Sequence, residues 1–377
     1  MSIGGNKMTK FKVLVVFGTR PEAIKMAPII KQLENHDFIE CIVCVTAQHR
    51  EMLDQVLNVF KINPRYDLNI MKKKQTLVDI TSNALIKLDK VIKEVSPDLV
   101  LVHGDTTTTL CGSLAAYYNK VKLGHVEAGL RTYNKYSPFP EELNRKLTSS
   151  LADIHFAPTE LSKENLLREN IKEELIFVTG NTSIDALQTT IIEDYRNNLL
   201  DKIGKDRIIL LTAHRRENLG ENMENIFRAI NRILHDFDDT QVIYPIHLNP
   251  KIRHIAEEVI EKNDKMHIIE PLEVIDFHNF MNKSYLILTD SGGIQEEAPY
   301  LGKPVLVIRN TTERPEGIIA GTLKMAGTEE NSVYDLVCQL LENKDLYNSM
   351  SKASNPYGDG NASKYIVDAI EKMFILK

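Results

Sequence analysis

The sequence has no apolar run long enough to cross a membrane. Its longest stretches, such as Val13 to Phe17 and Leu99 to Val102, fall far short of the roughly 20 residues that a membrane helix needs. The first ten residues contain no apolar core of a secretory signal. Basic residues are not in excess either, since the net charge is −6, whereas general binders of nucleic acid or acidic membranes need broad basic surfaces. We therefore expect a cytoplasmic protein with neither kind of partner.

Cysteine is scarce, with four residues in a chain of 377. Cys41 and Cys44 form a CxxC pair, but they lie in an apolar run typical of a strand, where residues three apart point to opposite faces. A shared metal ion or disulfide is therefore not expected, and we interpret all the cysteines as buried thiols in a reducing compartment. HExxH, Walker A and GxGxxG motifs are missing too, which disfavours zinc hydrolysis and fingerprinted hydride transfer. We expect no metal and no cofactor.

What the sequence does contain is an alternation of short β-rich runs with amphipathic stretches. The runs are continuous in Val, Ile and Leu, which is typical of parallel strands covered by helices on both faces. A length of 377 residues suits two such domains. The predicted strands are 12–17, 41–46, 98–103, 122–126, 154–157 and 175–178, followed by 208–212, 241–245, 266–269, 286–289 and 304–308.

These patterns predict an α/β protein with two Rossmann-like domains that face each other across a cleft. We place the first domain at residues 1–190 and the second at 191–377, with a closing helix near 362–374 that is able to pack back on the first domain. In open parallel sheets, ligands bind beyond the carboxyl ends of the strands. The residues that follow each predicted strand are therefore the candidates for a site.

After the first strand, a glycine turn delivers Arg20 and, in the opening turns of a helix, Lys25. Such a turn favours phosphate, although a tight turn with solvated charges explains the segment equally well. Asp105 follows the third strand and Glu127 the fourth. Asp105 alone is better explained as a helix cap. Two carboxylates at one sheet edge, however, resemble acid/base equipment, because burial and mutual repulsion raise one pKa.

A third acidic pair, Glu141 and Glu142, opens a predicted helix after a loop that contains Pro and Tyr. Favourable charge at the helix dipole is a sufficient explanation for Glu142. In the second domain, His214 and Arg215 emerge from a buried strand. After the strand at 286–289, a Ser-Gly-Gly segment (291–293) opens a helix and exposes backbone N–H groups that suit a diphosphate, with a plain turn as the alternative.

Several segments, in this order along nearly the whole chain, together resemble the non-hydrolysing UDP-N-acetylglucosamine 2-epimerases. They are FGTRPEAIKMAP, HGDTTTT, GHVEAGLRT, SPFPEELNR, LTAHRREN, DSGGIQEEAP, TTERPEG and SNPYGDG. The resemblance implies a GT-B glycosyltransferase-like fold, a homodimer, and reversible conversion of UDP-GlcNAc to UDP-ManNAc for cell-surface polysaccharide. It also implies elimination of UDP to a glycal intermediate, followed by re-addition.

The same resemblance assigns roles by residue. Asp105, Glu127 and Glu141 handle protons at the sugar, and His214 joins them as a catalytic residue. The substrate-binding positions are Arg20, Lys25, Arg145, Phe277, Ser291, Gly292, Gly293, Glu297 and Arg314. A second UDP-GlcNAc acts as an activator in bacterial members, in a pocket that matches Gln48, Glu51, Lys74, Gln75, Glu141, Arg215 and His247.

The activator pocket departs from close relatives, which have glutamine at position 51 and arginine at 74. Glu51 replaces a neutral donor-acceptor with an anion, and Lys74 lacks the bidentate fork of arginine. We expect the pocket to survive with weakened affinity. Two other enzymes fit the same motifs: a hydrolysing epimerase that releases UDP and ManNAc, and a GT-B glycosyltransferase. A role as a non-enzymatic binder is disfavoured, since an anion-binding cleft would avoid three carboxylates.

Overall fold

The computed structural model of the protein describes residues 10–47, 50–71 and 75–376, without the side chains of residues 50–52. The chain divides into two compact units. The first comprises Met1–Ala186 together with Gly358–Lys377, and the second comprises Leu187–Tyr357. The closing segment therefore belongs to the first unit, and the division lies slightly before the sequence-based position at 190.

The first unit contains a seven-stranded parallel sheet in the order β3-β2-β1-β4-β5-β6-β7. Its strands are β1 (Phe11–Phe17), β2 (Ile39–Val45), β3 (Tyr66–Asp67), β4 (Leu99–His103), β5 (Lys122–Val126), β6 (Ile154–Ala157) and β7 (Ile176–Val178). Its helices are α1 (Arg20–Glu34), α2 (Arg50–Val59), α3 (Leu77–Val95), α4 (Thr107–Tyr118), α5 (Glu141–Leu151), α6 (Glu160–Arg168), α7 (Thr182–Thr190), which runs on into the second unit, and α16 (Ala362–Ile370).

The second unit contains a six-stranded parallel sheet in the order β10-β9-β8-β11-β12-β13. Its strands are β8 (Arg207–Thr212), β9 (Thr240–Pro245), β10 (Met266–Ile269), β11 (Leu286–Thr289), β12 (Val305–Val307) and β13 (Leu323–Met325). Its helices are α8 (Asn198–Ile203), α9 (Glu221–Asp236), α10 (Pro250–Val259), α11 (Val274–Lys283), α12 (Gly292–Tyr300), α13 (Pro315–Ala320), α14 (Glu330–Glu342) and α15 (Lys344–Ser351).

Each sheet is buried on both faces, which confirms the interpretation of the apolar runs. In β1, Val13 and Val15 belong to the core on the side of α1 and α16, whereas Leu14 belongs to the core under α3 and α4. This division follows from the two-residue period of a strand. The same period separates Cys41 from Cys44, which face different cores. All four cysteines are free thiols, but only Cys44 and Cys111 are buried; Cys41 and Cys338 are partly exposed, unlike the expectation that all are buried.

All of the predicted strands are present, with ends shifted by a residue or two. The sequence analysis missed β3 and β13, which are edge strands of two and three residues. Their sequences, Tyr-Asp in β3 and Leu-Lys-Met in β13, contain no continuous apolar run to detect. Among the described helices, none is long and apolar enough to span a membrane.

The closing helix α16 is attached to the first unit through a buried carboxylate. Asp185, in α7, accepts hydrogen bonds from the backbone N–H groups of Ala362 at 3.2 Å and Ser363 at 2.7 Å, and from the Ser363 hydroxyl at 2.6 Å. The two backbone N–H groups belong to the first helical turn, where they have no partner within the helix and where negative charge is favourable. Apolar residues of α16 then complete the core beside α1.

We predict that Asp185→Ala lowers the free energy of unfolding by roughly 2 to 4 kcal/mol, because it leaves buried donors without an acceptor. The matched control is Asp368→Ala in α16, whose exposed carboxylate pairs with Lys364 and is worth at most about 0.5 kcal/mol. Urea unfolding of both variants measures the difference. Equal effects in the two variants would show that Asp185 does not anchor the helix.

Candidate active site

Glu22 holds together two loops at the carboxyl edge of the first sheet. Its Oε2 accepts hydrogen bonds from the N–H groups of Gly18 at 3.1 Å and Thr19 at 2.8 Å, and its Oε1 accepts one from the Thr106 hydroxyl at 2.7 Å. The carboxylate is 3% exposed, and burial raises its pKa. Glu22 thereby sets the spacing between the loop that carries Arg20 and the loop of Asp105.

Asp105 lies in a largely desolvated position at this edge. Its side chain is 27% exposed and stands 3.6 Å from Arg145 Nε. Burial raises its pKa to about 6; Arg145 opposes the rise, while the negative charges of Glu127 and Glu141 add to it. The expected helix cap is supplied by Thr106 instead. The Asp105 carboxylate is therefore not needed as a cap and is poised to exchange a proton near neutral pH.

Glu127 is held in a strained position beside Asp105. Its φ of 60° lies in the left-handed region, which costs a non-glycine residue about 1 kcal/mol or more. Its carboxylate forms an ion pair with Lys25 and accepts a hydrogen bond from Asn181 Nδ2 at 3.1 Å. His103 Nε2 stands 3.7 Å from the same oxygen, and burial lowers the pKa of His103 to about 4, so this imidazole is neutral.

The two glutamates that open α5 have different environments. Glu142 is 4% exposed and accepts backbone N–H bonds from Thr132 at 3.0 Å and Tyr133 at 2.8 Å. It also pairs with Arg145 at 3.2 Å. Glu142 therefore braces the preceding loop, a structural role more specific than the favourable helix-dipole charge expected from the sequence. Glu141 is partly exposed and contributes to the electrostatic field at Asp105.

In the second unit, Asp290 organises the loop that follows β8. Its Oδ2 accepts hydrogen bonds from the backbone N–H groups of His214 and Arg215, both at 2.8 Å, and from Asn218 Nδ2 at 3.1 Å. Its Oδ1 faces His214 Nδ1 at 3.3 Å. The His214 ring also stacks on His247, with centroids 5.7 Å apart. Burial lowers the pKa of His214, and Asp290 opposes that shift.

The Ser-Gly-Gly segment opens α12 as predicted. Ser291 is the N-cap residue, and Gly292 and Gly293 form the first turn. A Cβ on Gly292 would lie 3.6 Å from Arg314 and 3.9 Å from Arg215, so two guanidinium groups converge on this glycine. Open N–H groups at a helix start and two nearby cations are the components of an anion site.

The remaining ribose and base candidates lie on α11 and α12. Glu297 is 13% exposed, with an oxygen 3.7 Å from His278 Nε2. His278 in turn shares a 2.7 Å hydrogen bond with the Thr190 hydroxyl. Phe277 is half-buried next to His278, with ring centroids 6.4 Å apart. Arg314 forms an ion pair with the buried Glu296.

Only part of the predicted activator pocket is described. Gln48 and Lys74 lie outside the described residues, and so does the side chain of Glu51. Gln75 donates a 2.6 Å hydrogen bond to the Ile70 carbonyl. In the second unit, His247 stacks on His214, as described above, and is itself exposed.

Sequence reasoning missed three residues that hold the candidates in place. Glu22 was detectable, because Thr19 and Glu22 have the capping-box spacing. Asp290 lies in a quoted motif that we interpreted only through its glycines. Asn181 carried no signal, because its contact with Glu127 joins residues 54 positions apart.

The two units carry different chemistry. The first has carboxylates beside cations, and the pKa of one carboxylate, Asp105, is raised to about 6. The second has a histidine, two arginines and a glycine-rich helix start. Within residues 10–47, 53–71 and 75–376, no three His, Cys, Asp or Glu side chains are arranged so that they could hold one metal ion.

These features define the class of protein first. Two α/β units, each built on a parallel sheet, are typical of the GT-B-like epimerases and glycosyltransferases. A solved glycosyltransferase from Rickettsia africae, which is 14% identical and has a TM-score of 0.63 over 98% of this chain and 100% of its own, shares the fold alone.

The chain belongs to the UDP-N-acetylglucosamine 2-epimerase family, whose model matches residues 31–371, and it is accordingly an isomerase. It is similar to the UDP-N-acetylglucosamine 2-epimerase of Bacillus subtilis, with 64% identity over 96% of each chain. A crystal structure of a related protein from Listeria monocytogenes is 54% identical, with a TM-score of 0.93 and 97% of each chain covered. The Neisseria meningitidis enzyme, solved with bound UDP-GlcNAc, is 51% identical, with a TM-score of 0.87 over 96% of this chain and 100% of its own.

We predict that Asp105 titrates with a midpoint of about 6, measured by carbon-13 NMR of labelled aspartate. Asp105→Asn identifies the resonance by its loss. Arg145→Met should move the midpoint upward, because the guanidinium favours the ionised carboxylate. A midpoint near 4, the ordinary value for aspartate, would contradict the desolvated environment.

Proposed function

We propose that the protein interconverts UDP-GlcNAc and UDP-ManNAc by inverting C2 of the sugar, without hydrolysis. The carrying observation is the cluster of Asp105, Glu127 and Lys25, in which one carboxylate has its pKa raised to about 6. The family membership and the bound UDP-GlcNAc in the Neisseria relative support the choice of substrate.

The reaction requires UDP to leave before C2 can be inverted. The C2 hydrogen is not adjacent to a carbonyl, so its removal becomes practical when the C1–O bond to UDP breaks and a C1=C2 double bond forms. The glycal then takes a proton at the opposite face of C2 as UDP adds back to C1. Proton-handling groups are therefore needed on both faces of the ring, and Asp105, Glu127 and Glu141 are our candidates.

The departing diphosphate needs positive charge, because electrostatic stabilisation of the leaving group is the largest demand of the elimination. We assign this role to His214 and Arg314 and to the N–H groups at the start of α12, all in the second unit. Glu297 suits the ribose diol, since a carboxylate accepts from paired hydroxyls. Phe277 offers a ring for the uracil.

The two rivals differ in their products. A hydrolysing epimerase shares the elimination but releases UDP and free ManNAc. A GT-B glycosyltransferase needs an acceptor and exchanges no proton at C2. Three carboxylates in one electrostatic cluster favour proton exchange over glycosyl transfer.

We predict that product formed in heavy water carries deuterium at C2. Asp105→Asn, Glu127→Gln and Glu141→Gln should each slow turnover by about 10² to 10⁴, the usual cost of losing an acid or base, while UDP still binds. Proton NMR of the nucleotide sugars and calorimetry with UDP provide the two measurements. The control is Glu160→Gln on the exposed start of α6. Product that keeps its original hydrogen would refute the elimination, and free ManNAc would favour the hydrolysing rival.

A second UDP-GlcNAc is our proposed activator, bound with reduced affinity because of Glu51 and Lys74. We predict that pure UDP-ManNAc is converted slowly and that a trace of UDP-GlcNAc accelerates the reaction. Progress curves measure the lag, and Glu51→Gln with Lys74→Arg should shorten it. Full speed from the first turnover, with no lag, would rule out the activator.

We also propose a homodimer in a reducing cytoplasm. Large apolar side chains are exposed on three neighbouring helices of the first unit, α3, α4 and α5, as in surfaces that bind protein. They are Leu77, Val78, Ile86, Tyr117, Tyr118, Leu143 and Leu147. Light scattering should give twice the chain mass of 42.9 kDa, whereas the single mass would contradict the dimer.

The free thiols of the four cysteines fit the proposed reducing cytoplasm.

A further inference from the structure

Asp290 uses its two carboxylate oxygens differently. Oδ2 is occupied by the backbone N–H groups of His214 and Arg215 and by Asn218. Oδ1 is buried as well, but it makes no hydrogen bond among the described residues. The whole side chain is 0% exposed. A buried carboxylate oxygen without a donor is unfavourable, so it favours any neighbouring group that can supply a hydrogen.

The group in reach is His214 Nδ1, at 3.3 Å. The His214 ring stacks on His247 with an interplanar angle of 16°, a contact that uses the ring face and leaves the ring nitrogens available. A hydrogen on Nδ1 would supply the donor that Oδ1 lacks, and the other nitrogen, Nε2, would then be bare in the neutral ring. His214 is 38% exposed, so solvent can supply a proton to it.

We propose that Asp290 is a positioning residue that holds His214 as the Nδ1–H tautomer, so that Nε2 takes a proton from solvent when a diphosphate binds. The ring then becomes a cation whose charge is shared between Asp290 and the phosphate oxygens. This inference rests on the proposed function, which puts His214 beside the diphosphate. The tautomer of His214 is a property of the protein without ligand, so it does not depend on that function.

Three charged or titratable groups act on the ring. Burial lowers the pKa of His214, Asp290 raises it, and His247 and Arg215 lower it. Without a ligand, burial outweighs Asp290 and lowers the pKa of the ring, which favours the neutral imidazole at neutral pH. A bound diphosphate adds negative charge and shifts the balance towards the imidazolium. Proton uptake should therefore accompany binding above the free ring's pKa and should fade at lower pH, where the ring is already charged.

Asp290→Asn separates the two roles of the carboxylate. The amide must place its oxygen at the Oδ2 position, because two backbone N–H groups need an acceptor there. Its NH₂ group then faces His214 Nδ1 and donates to it, which moves the ring hydrogen to Nε2. Asn218→Ala is the matched control: it removes one donor from Oδ2 and leaves the contact of Oδ1 with His214 intact.

The experiment combines nitrogen-15 NMR of labelled histidine with calorimetry of UDP binding in two buffers of different ionisation enthalpy. His214→Gln identifies the resonances. We expect Nδ1–H in the wild type and in Asn218→Ala, and Nε2–H in Asp290→Asn. We expect the binding of UDP to be accompanied by uptake of a proton in the wild type, and not in Asp290→Asn. Turnover of that variant should fall by about 10² to 10⁴, as for a wrong tautomer in other enzymes, with little change in its unfolding midpoint.

An Nε2–H ring in the wild type, or an unchanged tautomer in Asp290→Asn, would overturn the positioning role. UDP binding without proton uptake would overturn the cation step. If UDP does not bind at all, the proposed function and the cation step fail together, and the tautomers of the free protein still decide the role of Asp290.

Discussion

One buried carboxylate in each unit bridges the point where the strand order reverses. In the first sheet that point lies between β1 and β4, and Glu22 connects the loops that follow these two strands. In the second it lies between β8 and β11, and Asp290 connects the corresponding loops. Loops diverge at such switch points and leave the crevice where ligands bind. Each carboxylate offsets its own desolvation with several hydrogen bonds, worth about 1.5 to 3 kcal/mol each to a charged acceptor.

The candidate catalytic groups depend on these bridges for their geometry and for their charge. Lys25 and Asp105 follow different strands, yet they act on each other electrostatically because their loops are held at one edge. The close approach is steric as well: a Cβ on Gly18 would lie 2.0 Å from Thr46 Oγ1, so a larger residue at that position must displace the Thr46 side chain. In the first unit, partly desolvated carboxylates beside cations are thus positioned by a neighbour, Glu22, whose two carboxylate oxygens both accept hydrogen bonds.

The sequence predicted the architecture well, because continuous apolar runs and their spacing report burial directly. It also placed Asp105, Glu127 and Lys25 at one edge, since strand ends converge in a parallel sheet. It failed where function depends on contacts between distant segments. The sequence favoured Asp105 as a helix cap, whereas in the structure Thr106 is the N-cap residue. The hydrogen bond from Asn181 to Glu127 follows no local sequence pattern. The differences from close relatives at Glu51 and Lys74 are known only from the sequence, because these side chains lie outside the described residues.

The attachment of α16 to the first unit has a consequence for biosynthesis. The ribosome makes residues 10–186 first, but the core beside α1 includes Ile366, Val367 and Ile370, and Asp185 receives its donors from Ala362 and Ser363. All of the second unit is translated before these partners emerge. During synthesis, the first unit therefore lacks part of its apolar core and the hydrogen-bond donors of Asp185 until the closing helix emerges, so its native state is completed only after both units have been translated.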